Sequence, residues 1–181
     1  AEPLFRSSYN QFTYGWLSEK KYEKGLFWNQ RFSKLISEYK QLFPDDSTYI
    51  DKQQARCYIF EAIGLEGIGK IHEAENAFSA FQQSNFANTD EGQLDASDYL
   101  AMSGKWHAAA RILRNLDNIF IHAQSGYSLD DIQKYLLKKY RVNLMTGQLD
   151  SASVVANQIC LRLDSAIIKS QWIDSDEQET I

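Results

Sequence analysis

Gly69-Lys70-Ile71-His72-Glu73-Ala74, Gly104-Lys105-Trp106-His107-Ala108-Ala109 and Gly147-Gln148-Leu149-Asp150-Ser151-Ala152 are three copies of one pattern, Gly-x-hydrophobic-x-x-Ala. Each copy follows a helix-like segment and opens another. The glycine reads as the turn residue, since it alone adopts φ > 0 without steric cost, and the alanine reads as a close contact between two helices. Gly69 and Gly104 lie 35 residues apart and Gly147 follows 43 further on, which leaves room for an insertion. A fixed spacing of this size is the mark of stacked helical hairpins with one turn per repeat. The reading predicts an all-α chain of about four to five antiparallel helix pairs.

The remaining composition agrees with one soluble helical domain spanning 1–181. Of the 181 residues 44% are hydrophobic and 24% charged, and only two are proline, so long stretches are free to be helical. A net charge of -5 disfavours nucleic acid as the direct partner, because such proteins carry a basic face. No apolar run reaches the roughly 18–20 residues of a membrane span, and Ala1-Glu2-Pro3 lacks the charged and apolar regions of a signal peptide. The expectation is either a cytoplasmic protein or a soluble piece of a longer one. Cys57 and Cys160 have no Cys or His neighbour at metal-ligand spacing and read as two buried helix residues.

Outward from the glycines, the expected hairpins are a degenerate first one over 4–43 and repeats over 51–83, 93–117 and 128–162, followed by a terminal helix over 163–179. Twelve of the 24 aromatics fall within the first 49 residues, which reads as packing of the first hairpin rather than as a sticky face. Tyr9, Phe12, Trp16 and Leu17 suit its first helix, and Lys20-Lys21 the turn that follows. Phe27, Trp28, Phe32, Leu35, Ile36, Tyr39 and Phe43 form a stripe on its second, which Pro44 ends. Tyr22-x-x-Gly25 echoes the repeat without its turn glycine. Ala55, Tyr58, Ala62 and Leu65, then Ile71, Ala74, Phe78 and Phe81, are the expected buried stripes of the next hairpin.

Further along, 85–92 reads as a polar connector and Asp95 as the approximate start of the third hairpin. Trp106, Ala109, Leu113 and Leu116 lie on the stripe of its second helix. Residues 117–127 break the period, and Ser128-Leu129-Asp130-Asp131 reads as a capped helix start. The fourth hairpin carries Ile132, Leu136, Tyr140 and Leu144, then Leu149, Ala152, Ala156 and Ile159.

Hydrophobic residues four and seven positions beyond Ala74 (Phe78, Phe81) and Ala109 (Leu113, Leu116) complete a pattern that resembles the second half of the tetratricopeptide signature over about 52–160. The small residue that the signature places in each first helix is Ala62, then Ser97, but Tyr140 in the last repeat. The resemblance implies a tetratricopeptide-like α-α superhelix. A narrower one concerns the closing portion, where Leu149-Asp150-Ser151-Ala152 returns as Leu163-Asp164-Ser165-Ala166 before a polar tail. It is similar to the end of the extracytoplasmic tetratricopeptide regions of Bacteroidetes-type sensor histidine kinases and related membrane-bound regulators. It implies a periplasmic input domain of an inner-membrane protein, attached through segments outside this chain, with any kinase module elsewhere in the parent.

No constellation in the sequence supports catalysis. There is no P-loop, G-x-G-x-x-G, G-x-S-x-G or H-E-x-x-H, and His72, His107 and His122 are dispersed. His72 and His107 hold equivalent repeat positions, which repetition alone explains. The acidic pairs Asp45-Asp46 and Asp130-Asp131 suit turns and caps. No cofactor, metal or enzymatic activity is expected of this segment.

Counting back from the turn glycines by the family pattern nominates Asn10, Tyr14, Arg56, Ile63, Glu66, Asp98, Met102 and Arg141 for the inner face of the superhelix. Their mixture of apolar and charged groups suits a protein or peptide ligand, although each is also an ordinary helix-surface residue. They lack the Lys/Asn arrangement with which some family members clamp a C-terminal carboxylate. On the terminal helix, Leu163, Ile167, Ile168 and Trp172 prolong an apolar stripe that a twin chain would cover in a homodimer, so this helix is the expected output element. The expected function is sensory or protein-interacting, with a cytoplasmic adaptor for peptide segments as the alternative.

Overall fold

The computed structural model describes residues 2–122 and 129–162. Every regular element among them is helical: α1 (Glu2–Ser18), α2 (Tyr22–Leu42), α3 (Ser47–Gly67), α4 (Ile71–Gln82), a 3-10 turn (Phe86–Asn88), α5 (Asp90–Met102), α6 (Trp106–Asp117), a π turn (Asn118–His122), α7 (Leu129–Met145) and α8 over 149–162. The chain divides into two compact units, Ala1–Gly104 and Lys105–Ile181, whose boundary falls in the Gly104 turn. Helices pack in neighbouring pairs. In the first unit α1, α2, α3 and α4 each lie against the next, and α3 also touches both α1 and α5; in the second, α6 packs on α7.

The turns show why the hexapeptide recurs. Gly69, Gly104 and Gly147 have φ of 80°, 71° and 73°. Each donates its N–H to the carbonyl three residues back, Glu66, Ala101 and Leu144 respectively, at 3.0–3.2 Å. Lys70 and Gln148 donate to Leu65 and Asn143, both at 2.9 Å, which completes the pair of reverse bonds that closes a helix around a left-handed residue. The next helix starts at once, with Ala74, Ala109 and Ala152 donating to Lys70, Lys105 and Gln148. These alanines are 0%, 0% and 2% exposed, so no larger side chain fits where the paired helices meet.

The first hairpin makes the same turn without glycine. Lys20 takes φ of 60°, Lys20 and Lys21 donate to Leu17 and Trp16 at 3.0 and 2.9 Å, and Gly25 donates to Lys21. In the repeat register, Lys20 stands at the glycine position and Gly25 at the alanine position. A Cβ on Gly25 would lie 2.4 Å from Leu17 Cδ2, so the glycine here serves close helix packing. A left-handed lysine is strained by about 1–2 kcal/mol, partly offset because glycine loses more chain entropy on folding. Lys20→Gly is therefore expected to stabilise the protein by about 0.5–1 kcal/mol in urea denaturation; a lower midpoint would show that the lysine side chain contributes more than its backbone strain costs.

Several sequence-based boundaries move. α3 begins at Ser47, ahead of the expected 51. α5 begins at Asp90 because Thr89 caps it, its Oγ1 accepting from the Gly92 N–H at 3.1 Å, with Asp90 and Glu91 favourably placed in the first turn. The connector is correspondingly short and only partly polar: Phe86 and Ala87 are 5% and 4% exposed, and the Phe86 N–H donates to Asp51 Oδ2 at 2.9 Å.

Some stripe residues face out instead of in. Phe12, Phe27, Phe43, Tyr58, Ile71, Leu144 and Leu149 are exposed, while Phe32, Ile36, Ala62, Phe81, Leu113 and Leu136 are buried. A stripe that wraps beyond the width of one helix contact leaves its edges in solvent. Trp106 and Tyr140 are half-buried. The capping residue Ser128 and the terminal-helix residues Leu163, Ile167, Ile168 and Trp172 lie outside the described residues.

Candidate functional site

In the first unit α3 runs between α1 and α5, so the first helices of three successive hairpins lie side by side. Most of the nominated surface residues fall on these helices, and the contacts sort them.

Arg56 projects from α3 to α5. Its guanidinium pairs with Glu91 and lies 3.9 Å from Asp95, while Lys52 pairs with Glu91 at 2.6 Å. Both cations sit 5.6 Å from the centre of the Phe86 ring. This is a neutralised, ring-backed cluster that ties α3 to α5. Ile63 is 7% exposed and belongs to the core rather than to a surface. Glu66 accepts a 3.3 Å hydrogen bond from the Tyr99 hydroxyl, and the Tyr99 ring stacks on Phe78 with centroids 4.4 Å apart. Burial pushes the Tyr99 phenol above its ordinary range, and the Glu66 carboxylate adds to the shift.

Tyr14 and Met102 are exposed and available; the Tyr14 ring lies 6.5 Å from that of Phe60 across the α1–α3 contact. Asn10 and Asp98 are half-buried. Arg141 belongs to the second unit, where its guanidinium sits 5.6 Å from the Trp106 ring centre. The structure thus leaves Tyr14 and Met102 exposed and engages Arg56 and Glu66 in contacts between helices.

A concavity of about 590 Å³ lies between α2 and α3, with Lys70 in its lining. The two helices approach closely at one end because Gly64 and Gly67 have no side chain: a Cβ would come within 2.6 Å of Leu26 and 2.3 Å of the Tyr22 ring. Further along, Asn29 is 5% exposed and donates through Nδ2 to the Cys57 carbonyl at 2.9 Å. Cys57 is buried as well, and burial followed by the charge of Glu61 pushes its thiol up to about 12, which keeps it protonated and unreactive. Sequence reasoning passed over this groove. The available signal was Asn29 itself, a polar residue at helical spacing from Phe32 and Ile36 on an otherwise apolar stripe.

Among the described residues no group of three His, Cys, Asp or Glu side chains converges as a metal site, and no helix is long and apolar enough to cross a membrane. His72 and His107 are both exposed. Comparison with protein-family models, with curated proteins and with solved structures returns no match.

Proposed function

We propose that this chain is a non-catalytic protein-interaction domain, a tetratricopeptide-like superhelix that serves as the extracytoplasmic input region of a membrane-bound two-component sensor histidine kinase or related regulator. The observation that carries the scaffold part of this reading is the turn at Lys20, Gly69, Gly104 and Gly147: the same left-handed residue and the same reverse hydrogen bond recur at each, whether or not glycine supplies it. Such repetition builds a surface from equivalent helices, and here α1, α3 and α5 are adjacent with Tyr14 and Met102 exposed on them. Exposed aromatic and methionine side chains on a rigid helical platform suit capture of a protein segment. The sensor part rests on the repeated Leu-Asp-Ser-Ala tetrads.

In this role a bound protein or peptide favours one arrangement of the domain, or of a homodimer, and the segment from Leu163 through Trp172 carries the bias toward the membrane. The size of that bias is bounded by the ligand's differential affinity for the two states. The experiment is to express the complete parent gene product and follow its phosphorylation with and without Tyr14→Ala and Met102→Ala in this domain. The proposal expects a membrane-spanning segment and a kinase or regulator module in the parent, with output altered by the two substitutions while the fold is retained. A parent with neither segment, its binding to a cytoplasmic protein intact, would instead make the chain a cytoplasmic adaptor.

A further inference from the structure

The α2–α3 groove has a chemistry of its own, independent of the superhelix reading. Its lining holds two carboxylates and one lysine, beside the neutral polar groups of Asn29, Gln30, Ser33 and Tyr58. Glu61 on α3 and Glu23 at the start of α2 both face it, and neither enters an ion pair among the described residues. The one lysine in the lining, Lys70, is committed to Glu73 at 3.0 Å. Asn29 adds a buried acceptor: because its Nδ2 must be the atom that donates to the Cys57 carbonyl, its Oδ1 is left without a donor. A buried oxygen of this kind is costly to leave without a partner. Burial, with Glu73 nearby, holds the Glu61 carboxyl above its usual range, as an uncompensated carboxylate requires.

The apolar part of the groove suits the same occupant. Tyr58 and Phe27 line the groove and are 38% and 49% exposed. Ring faces beside carboxylates and an unfilled acceptor complement a group that is cationic, rich in N–H donors and carried on an aliphatic stem. A volume of about 590 Å³ accepts such a side chain together with neighbouring residues of its backbone.

We propose that this groove docks a basic segment of a partner protein, with an arginine or lysine side chain inserted between α2 and α3 so that its cation meets Glu61 and Glu23, one N–H reaches Asn29 Oδ1, and its stem lies against Tyr58 and Phe27. The segment carries net positive charge.

The test is fluorescence anisotropy with a short labelled peptide of alternating arginine and leucine, and the same peptide with citrulline in place of arginine. The parent is expected to bind the arginine peptide at least about tenfold more tightly than the citrulline peptide. Glu61→Gln, an isosteric change of a residue whose carboxyl is only partly shielded from solvent, is expected to weaken the arginine peptide about tenfold, and the Glu23→Gln/Glu61→Gln pair to abolish the preference. Glu38→Gln, an equal charge change on α2 outside the groove, serves as the control and is expected to leave binding within about twofold. Equal affinity for the two peptides, no binding by the parent, or equal losses in Glu61→Gln and Glu38→Gln would each overturn the proposal. Full displacement of the peptide by spermidine at the same molar concentration would also overturn it, since the occupant would then be a free polyamine. Binding that falls with Tyr14→Ala and Met102→Ala but not with Glu61→Gln would place the segment on the α1–α3–α5 face and remove the groove alone.

Discussion

Phe32→Ala lowers the stability of the protein by about 3–5 kcal/mol, the cost of losing a fully buried aromatic ring and leaving a cavity that rigid neighbours cannot close. Phe32 has no exposed surface and lies in a cluster with Ile36, Ile50 and Cys57, with Tyr9 and Tyr39 packed around it. Those residues come from α1, α2 and α3, so the ring is where the first hairpin joins the second. Urea denaturation followed by far-UV circular dichroism reads the change. A loss under about 1 kcal/mol would mean that the cluster repacks freely and that α1–α3 do not share one core.

Tyr135→Ala should cost about as much in the second unit, again about 3–5 kcal/mol. The Tyr135 ring is fully buried and stacks on Phe120 with centroids 4.7 Å apart and planes 10° from parallel. Its hydroxyl, with one proton to give, lies within hydrogen-bond reach of both the Leu113 carbonyl, at 2.8 Å, and the Asp117 carboxylate, which Lys139 also contacts. Burial and the Asp117 hydrogen bond push the phenol above its ordinary range, which favours the protonated, donating form. Tyr135→Phe separates the two contributions and should cost only about 1–2 kcal/mol, because the stacking survives and Asp117 keeps Lys139. Equal losses for the two variants would show that the hydroxyl, rather than the ring, holds α6 to α7.

What could be read from the sequence follows from which interactions are local. A glycine that must take φ > 0 announces a turn by itself, so Gly69, Gly104 and Gly147 mark the hairpins directly, and Pro44 marks the end of α2. Lys20 makes the same turn with no such mark, because nothing in a lysine indicates a left-handed backbone. The break between the stripe ending at Leu17 and the one opening at Phe27 places a turn at Lys20-Lys21 but does not give its geometry. The early start of α5 rests on Thr89, one of several polar residues in 85–92 that could cap a helix, and only the packed chain selects it.

Side-chain direction was less accessible. Tyr58, Ile71 and Leu149 sit at helical spacing from buried residues yet face solvent, since periodicity gives a stripe and not its edges. The surface residues were harder still: Arg56 and Ile63 were nominated by position alone, and whether such a side chain is free depends on Glu91 and Asp95, or on the core, both distant in sequence. The groove beside Asn29 exists because Gly64 and Gly67 admit α2, and that is a property of the packed pair rather than of either helix.

The proposal that this domain lies outside the inner membrane is tested most directly by its two cysteines. Cys160 is exposed and Cys57 is buried with its thiol pushed up to about 12, so a maleimide that cannot cross membranes reports on Cys160 alone. In cells of the native host producing the complete parent protein, with the outer membrane permeabilised and the inner membrane intact, the account predicts labelling of this domain that Cys160→Ser removes and Cys57→Ser leaves in place. Labelling of Cys160 only after the inner membrane is broken would put the domain in the cytoplasm and contradict the account.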